Sequence, residues 1–171
     1  TTVGYGDLFP LSNAGKIVAV LLPIMMGIGL GAAFITHVAS SLIERRDKEM
    51  HGEKEYEKKG HVLVVGSTGE TEQLIEEIQK DETYTNQEVV LVADISRHPY
   101  PDLENVFFVK GRPDTLFALN KANIKEAKTI VIHTGSDEES LFALINALKL
   151  KNSACEITVR CLSTHSLDTF S

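Results

Sequence analysis

The sequence begins with the run TTVGYGD, in which two glycines separate larger residues. Gly4 and Gly6 can adopt backbone conformations with positive φ that other residues rarely reach. Alternate peptides of an extended strand can then face the same way, so that a row of carbonyl oxygens points at one axis. Oxygens arranged in this way can replace the hydration shell of a cation. The alternative is an ordinary glycine-containing turn before a helix.

A second glycine-rich run, G-S-T-G-E-T, follows the apolar residues HVLVV at 61–65. Gly66 and Gly69, with the N-terminus of the helix expected after them, suit an anion. Thr68 replaces the second glycine of the G-x-G-x-x-G loop, which lets the backbone approach a pyrophosphate, and this argues against conventionally bound NAD. Glu70 in the first helical turn is expected to repel a phosphate.

Two charged residues near later strand ends could complete a nucleotide site. Asp94 stands about where an acidic residue contacts an adenosine ribose, although a turn cap explains it equally well. Arg112 could reach a phosphate or a neighbouring subunit, and the alternative is a surface arginine before a helix. The predicted ligand is an adenine nucleotide (NAD, ADP, ATP or AMP), and its predicted contacts are Gly66, Thr68, Gly69, Asp94 and Arg112.

The elements that must position these residues alternate between strand and helix, which predicts a parallel, doubly wound, Rossmann-like sheet. Pro113 suits the first turn of one helix, and Ser136 with Glu139 has the spacing of a capping box. The run SRHPYPDLEN, between the second and third strands, leaves little room for a full helix. The predicted strands are 61–65, 89–94, 106–109, 129–132 and 156–161, and the helices after the first one are 114–122 and 137–150.

Residues 17–43 contain no Asp, Glu, Lys or Arg and would extend roughly 40 Å as a helix, enough to cross a bilayer. Basic residues are more frequent after this stretch than before it, which places the C-terminal half in the cytoplasm. Gly27 or Gly29, with Pro23 one turn earlier, could form a hinge. Close helix packing explains these glycines equally well.

The remaining composition excludes several classes of function. The formal net charge of -7 comes without a dense basic patch, so nucleic acid is not an expected partner. Cys155 and Cys161 lie in a strand-like run and are expected to be structural thiols. No nucleophile with a base, metal cluster or paired carboxylates occurs at usable spacing, so the sequence does not predict an enzyme.

The heptapeptide TTVGYGD followed by a bilayer-length apolar helix resembles the selectivity filter and inner helix of potassium channels. A Rossmann-like domain after such a helix resembles the RCK family, regulators of potassium conductance. The resemblance implies that the carbonyls of Thr2, Val3, Gly4 and Tyr5 and the hydroxyl of Thr2 coordinate potassium, in a filter that also includes Gly6. It further implies a homotetramer, RCK dimerisation into a gating ring, contact with membrane lipid, and a multi-pass cell-membrane protein with a cytoplasmic RCK domain.

Some RCK channels bind calcium through carboxylates after the fourth strand and at the end of the fifth. Those positions here are His133, Arg160 and Leu162, which cannot supply the oxygen ligands that calcium needs. No calcium is therefore expected at that site.

These patterns predict four segments: a filter at 1–8, an outer-mouth turn and inner helix at 9–43, a charged linker at 44–60, and a truncated RCK N-terminal domain at 61–171. The predicted function is a potassium-selective channel subunit gated by a cytoplasmic ligand-binding RCK domain. The alternative is a membrane-tethered nucleotide-binding regulatory domain that does not itself conduct.

Overall fold

The computed structural model describes residues 11–23, 26–27, 29–84 and 86–162. The chain divides after Arg46 into two compact units. The filter residues Thr2 to Gly6 lie outside the described residues, so their predicted roles remain predictions.

The first unit is helical over its described residues. Helix α1 covers Asn13–Pro23, and α2 begins at Gly29 and continues to Met50 in the second unit. A π-helical turn includes Met26 and Gly27 between them. None of the described helices is both long and apolar enough to cross a membrane. The predicted span at 17–43 includes residues outside the description and remains a prediction.

The second unit contains the predicted parallel sheet, with strand order β3-β2-β1-β4-β5. All four neighbouring pairs are parallel. Helix α3 follows β1, and α4 and α5 follow β3 and β4. The elements are β1 (Val62–Val65), α3 (Thr71–Lys80), β2 (Val89–Ala93), β3 (Val106–Lys110), α4 (Leu116–Lys121), a 3-10 turn (Ile124–Glu126), β4 (Thr129–Ile132), α5 (Asp137–Leu150) and β5 (Glu156–Val159).

Side chains of the central strands alternate between the two faces of the sheet, and both faces are covered, as is typical of parallel sheets. On β1, Val62 and Val64 belong to the cluster that includes Ile75 of α3. Leu63 and Val65 belong to the opposite cluster, with residues of α4 and α5. The doubly wound architecture predicted from the sequence is therefore confirmed.

Helix boundaries agree with the sequence at α5 and differ at α4. The Ser136 side chain accepts a hydrogen bond from the Glu139 amide, which confirms the serine half of the predicted capping box. The prediction that Pro113 lies in the first turn of α4 is wrong, because the helix begins at Leu116 and Thr115 caps it. No helix forms among the described residues between β2 and β3, as expected from the prolines.

The segment from 51 to 60, here called the strap, connects α2 to β1. The sequence predicts a charged linker at 44–60, but residues 44–50 belong to α2, and Tyr56 of the strap is only 6% exposed and belongs to the sheet core. The Gly52 carbonyl accepts hydrogen bonds from the Lys110 amide at 3.0 Å and the Lys121 ammonium at 2.7 Å. These contacts fix the strap against β3 and α4.

Candidate functional site

The turn after β1 passes close to β4, its neighbour in the sheet. Gly66 has φ +101, and its amide donates to the Val92 carbonyl at 2.8 Å. A Cβ at this position would lie 2.6 Å from the His133 carbonyl oxygen. The approach therefore requires glycine, both for its positive φ and for the absent side chain. In this order of parallel strands, β1 and β4 flank the crevice where ligands of doubly wound sheets bind.

Thr68 closes part of that crevice. Its Oγ1 lies 2.6 Å from His133 Nε2. Its amide donates to the Thr71 hydroxyl at 2.8 Å, so this amide already has an acceptor. Thr68 therefore adds a contact between β1 and β4 at the place where a glycine would leave the backbone open. This arrangement fits the expectation that a pyrophosphate is not held here in the usual way.

Arg160, just beyond β5, brings a positive charge to the same crevice. Its Nη1 lies 3.0 Å from His133 Nε2 and 2.7 Å from Glu70 Oε2. Because arginine can only donate, His133 Nε2 is assigned as an acceptor and the proton as residing on Nδ1. Burial and the Arg160 charge lower the pKa of His133, and Glu70 opposes this shift. The imidazole is therefore neutral near pH 7.

The Glu70–Arg160 pair changes the expected electrostatics of the loop. Glu70 was expected to repel a phosphate, but its carboxylate is balanced by an arginine within hydrogen-bonding distance. His133 and Arg160 were considered in the sequence only as replacements for calcium ligands. Their proximity to Gly66 could have been predicted, because all three residues follow directly after a strand and the carboxyl ends of parallel strands lie at one edge of the sheet.

Asp94 and Arg112 follow β2 and β3, and the Arg112 guanidinium contacts Asp114 rather than the glycine loop. Arg112 makes a two-point contact with Asp114, with Nε to Oδ1 at 3.1 Å and Nη2 to Oδ2 at 2.6 Å. Its pKa is raised first by this contact and to a smaller extent by the Asp94 charge. Asp94 is exposed at the end of β2. The structure therefore favours Arg160 over Arg112 as the cation nearest the loop.

Metal-ligand chemistry is limited around this edge. The Asp137 Oδ1 atom accepts a hydrogen bond from the Leu162 amide at 2.8 Å, so this carboxylate helps to hold the chain after β5. Among the described residues, no group of three or more His, Cys, Asp or Glu side chains could hold a metal ion. The absence of calcium at the RCK position remains a prediction.

Comparison with known proteins gives the family. The TrkA-N domain model matches residues 62–171. The chain belongs to the TrkA-N domain family. The ion channel family model matches residues 1–44 of this TrkA-N chain, ahead of the sheet. The segment that carries the glycine-rich heptapeptide and the segment that carries the sheet are thus both matched.

Two curated relatives are potassium channels by name. The TrkA-N chain is 29% identical over 163 residues to the calcium-gated potassium channel TvoK of Thermoplasma volcanium, covering 90% of this chain and 45% of that protein. It is 25% identical over 155 residues to the putative potassium channel protein YugO of Bacillus subtilis, covering 88% of this chain and 46% of YugO. The chain thus spans about half the length of these relatives.

Solved structures of the GsuK channel share the fold. The structure bound to NAD has a TM-score of 0.66 at 23% identity and covers 98% of the TrkA-N chain and 31% of the GsuK chain. The structure bound to ADP has a TM-score of 0.64 at 23% identity, and the match covers 98% of this chain and 45% of the GsuK chain. At this level of identity the likeness establishes the fold alone.

Proposed function

We propose that this chain is part of a potassium-selective channel subunit that is gated by a cytoplasmic, ligand-binding RCK domain. The observation that carries the proposal is the order of matches in one chain, an ion channel segment at 1–44 followed by a TrkA-N domain at 62–171. The channel names of TvoK and YugO support it. The protein is placed in the cell membrane as a multi-pass protein, in contact with lipid, and has no enzymatic role in this proposal.

The filter test uses the two glycines of the heptapeptide. Gly4→Ala or Gly6→Ala in the full-length tetramer should abolish selective potassium flux, because a Cβ at a residue with positive φ costs on the order of 1 kcal/mol or more. Bilayer recordings measure the potassium-to-sodium permeability ratio, and Ser12→Ala is the control. Selective flux in both glycine variants would reject the filter. Absent flux in the wild type with nucleotide binding retained would favour the membrane-tethered regulatory domain.

The proposed gating ligand is an adenine nucleotide, and the GsuK structures with NAD and with ADP support this class. Gly66 brings the backbone to the β1–β4 crevice, and the N-terminus of α3 follows it. Arg160 balances Glu70 at the same edge and could instead face a phosphate. Asp94 is the proposed ribose contact. Thr68 and Gly69 border the phosphate, and Arg112 has at most an outer role because Asp114 already holds it.

Calorimetric titration of the full-length protein with NAD, ADP, ATP and AMP tests this ligand. Asp94→Ala and Arg160→Gln should each weaken nucleotide binding by about tenfold, which corresponds to the loss of one good polar contact. Arg112→Gln is the matched control, and calcium is titrated in parallel with no binding expected at His133 and Arg160. No binding of any nucleotide to the wild type would reject the ligand class.

Assembly into a homotetramer, with RCK domains dimerising into a gating ring, is the proposed quaternary structure. Helices α4 and α5 expose large apolar side chains, including Phe117 at 74% and Phe142 at 58%. Apolar surface of this kind is typical of protein interfaces. Native mass spectrometry of the full-length protein should show a tetramer, and Phe117→Ser with Phe142→Ser should weaken association of the domains. The exposed polar change Lys149→Ser is the control.

A further inference from the structure

The strap is fixed at its second half as well as at Gly52. The Tyr56 amide donates to the Lys121 carbonyl at 2.9 Å, and the Gly60 amide donates to the Glu126 carbonyl at 2.8 Å. The Tyr56 hydroxyl donates to Glu88 Oε2 at 2.8 Å, just before β2. The position of the strap therefore depends on Tyr56 remaining in its site on the sheet.

His61 is buried directly against that tyrosine. It is 1% exposed, and its ring meets the Tyr56 ring edge-on, with centroids 4.6 Å apart and an interplanar angle of 64°. Neither ring nitrogen makes a well-formed hydrogen bond to any described residue. A buried polar group without a partner is costly, and a buried charge without one costs more. The arrangement is therefore compatible with a neutral imidazole and strongly disfavours an imidazolium.

The charged groups around His61 do not provide a counter-ion at the ring. Glu88 acts on it only through its charge, and this carboxylate is occupied by the Tyr56 hydroxyl and the Lys58 ammonium. Lys121 donates to the Gly52 carbonyl, so its charge is directed to the strap.

The remaining neighbours of His61 come from the β4 side of the sheet and from the end of α4. Lys128 donates its amide to the His61 carbonyl, while its ammonium lies 5.7 Å from the centroid of the Tyr84 ring. Burial lowers the pKa of His61, and the Ala122 carbonyl and Glu88 only partly oppose this.

We propose that His61 is a proton-sensitive lock on the strap: the neutral ring holds Tyr56 and the strap on the sheet, and protonation releases them. Release would loosen the connection between the end of α2 and the sheet. This regulation by protons is separate from the proposed nucleotide binding and ion selectivity. The proton itself is the ligand of this device. No group other than His61 has to change its charge for the strap to open.

The direction of the pH effect follows from the lowered pKa. The open strap exposes His61 to water, where its pKa returns to about 6.5. Above that value both states are neutral and the closed strap is fully stable. As the pH falls below 6.5, His61 becomes protonated in the open state but stays neutral in the closed state. Proton binding therefore favours the open state, and opening becomes more frequent. At pH 5.5 the population of the open state rises by about tenfold. One pH unit below a pKa of about 6.5, the protonated form of His61 in the open state outnumbers the neutral form by about ten to one.

The experiment is hydrogen exchange by mass spectrometry on the full-length protein at pH 7.5 and 5.5, with rates corrected for intrinsic exchange in an unfolded peptide. Peptides that contain the Tyr56 and Gly60 amides should lose protection by up to about tenfold at pH 5.5. His61→Leu should remove this loss, and His61→Gln is a second non-titrating variant. His51→Gln, at a partly exposed histidine of the same strap, is the control.

The outcomes are decisive in both directions. Strap protection that does not change with pH in the wild type overturns the proposal, as does an undiminished acid response in both His61 variants. Abolition of the response by His98→Gln instead would assign the device to that half-buried histidine. If the His61 variants do not fold, C2-hydrogen exchange of the wild-type histidines gives the result: a His61 midpoint at or above 6.5 rejects the lock, and a lower midpoint supports it.

Discussion

Gly66 shows how a single missing side chain positions the candidate site. Its φ of +101 and the 2.6 Å from an added Cβ to the His133 carbonyl oxygen leave no room for another residue. The same short approach lets Thr68 Oγ1 reach His133 Nε2. The side-chain contact between Thr68 and His133 therefore depends on one glycine.

Replacement of Gly66 is expected to destabilise this edge of the sheet. Gly66→Ala should lower the free energy of unfolding by at least about 2 kcal/mol, because strain at positive φ adds to a backbone clash. Denaturation of the full-length protein, followed by exchange of the β1 amides, measures the change. Gly69→Ala is the matched control, because a Cβ there meets nothing within 4 Å. Equal effects of the two changes would contradict this explanation.

Sequence reasoning at the residue scale succeeded where partners are close along the chain. Ser136 and Glu139 are three residues apart, and their capping contact was predicted and is confirmed. The Glu70–Arg160 pair was missed because it joins distant parts of the chain through the sheet. Its geometry depends on where β5 lies relative to β1, and residue spacing alone does not give that position.

At the scale of elements, each predicted strand corresponds to an observed strand with similar bounds. Buried β-branched runs bounded by turn residues give a strong local signal. The start of α4 was misplaced because Pro113 and Asp114 suit a first helical turn in isolation. In the folded chain the Asp114 carboxylate holds Arg112, and Thr115 supplies the cap.

The strap offers an element-scale prediction at Gly52. A Cβ there would lie 2.4 Å from the Lys110 amide nitrogen and 2.8 Å from the Phe108 ring, at a φ of +63. Gly52→Ala should therefore break the contact with Lys110 and speed exchange of the strap amides by at least about tenfold. Gly60→Ala, which has φ +73 but open space around it, isolates the conformational cost. Equal exchange in both variants would refute the steric part of the argument.

A second prediction at this scale concerns the helical region before α2. Met26 and Gly27 form a π-helical turn, and such turns are local weak points where helices bend. Gly27→Ala is expected to shift open probability without changing selectivity, as measured by single-channel recording of the full-length tetramer. Gly31→Ala is the control. An effect at Gly29→Ala together with none at Gly27→Ala would move the proposed hinge to Gly29.

At the scale of the whole molecule, the parallel doubly wound sheet was predicted because strands and helices alternate along the chain. The order of the strands in the sheet was not predicted, since it depends on packing between distant parts of the chain. The burial of Tyr56 was also missed, because alternating charges on either side of it resemble a solvated helix. In the strap, Glu55 and Glu57 are exposed while Tyr56 between them is buried, so charged flanking residues and a buried aromatic residue coexist.

Stability of the second unit should depend on pH in two separate windows. The folded-state pKa values of His61, His98 and His133 are lowered, in each case first by burial. Their contribution is therefore complete above about pH 6.5 and is lost as the pH falls below it.

The second window belongs to Glu88. Burial raises its pKa, but hydrogen bonds from Lys58 and Tyr56 outweigh burial and lower it. Its contribution is lost only at more acidic pH, below the ordinary range of glutamate near 4.3. Urea unfolding between pH 7.5 and about pH 3 should show both declines. A free energy of unfolding that is constant from pH 7.5 to 5.5 would contradict the histidine assignment.

The Gly52 carbonyl, which accepts from both Lys110 and Lys121, also determines how the second unit carries mechanical load. A pull on Met50 is met first by its own carbonyl, which accepts from the His98 amide, and then by the two bonds at Gly52. Only after these have broken does tension reach Tyr56 and the start of β1. The load therefore enters the second unit at β3 and α4, through Lys110 and Lys121, and reaches the start of β1 only when these hydrogen bonds have broken.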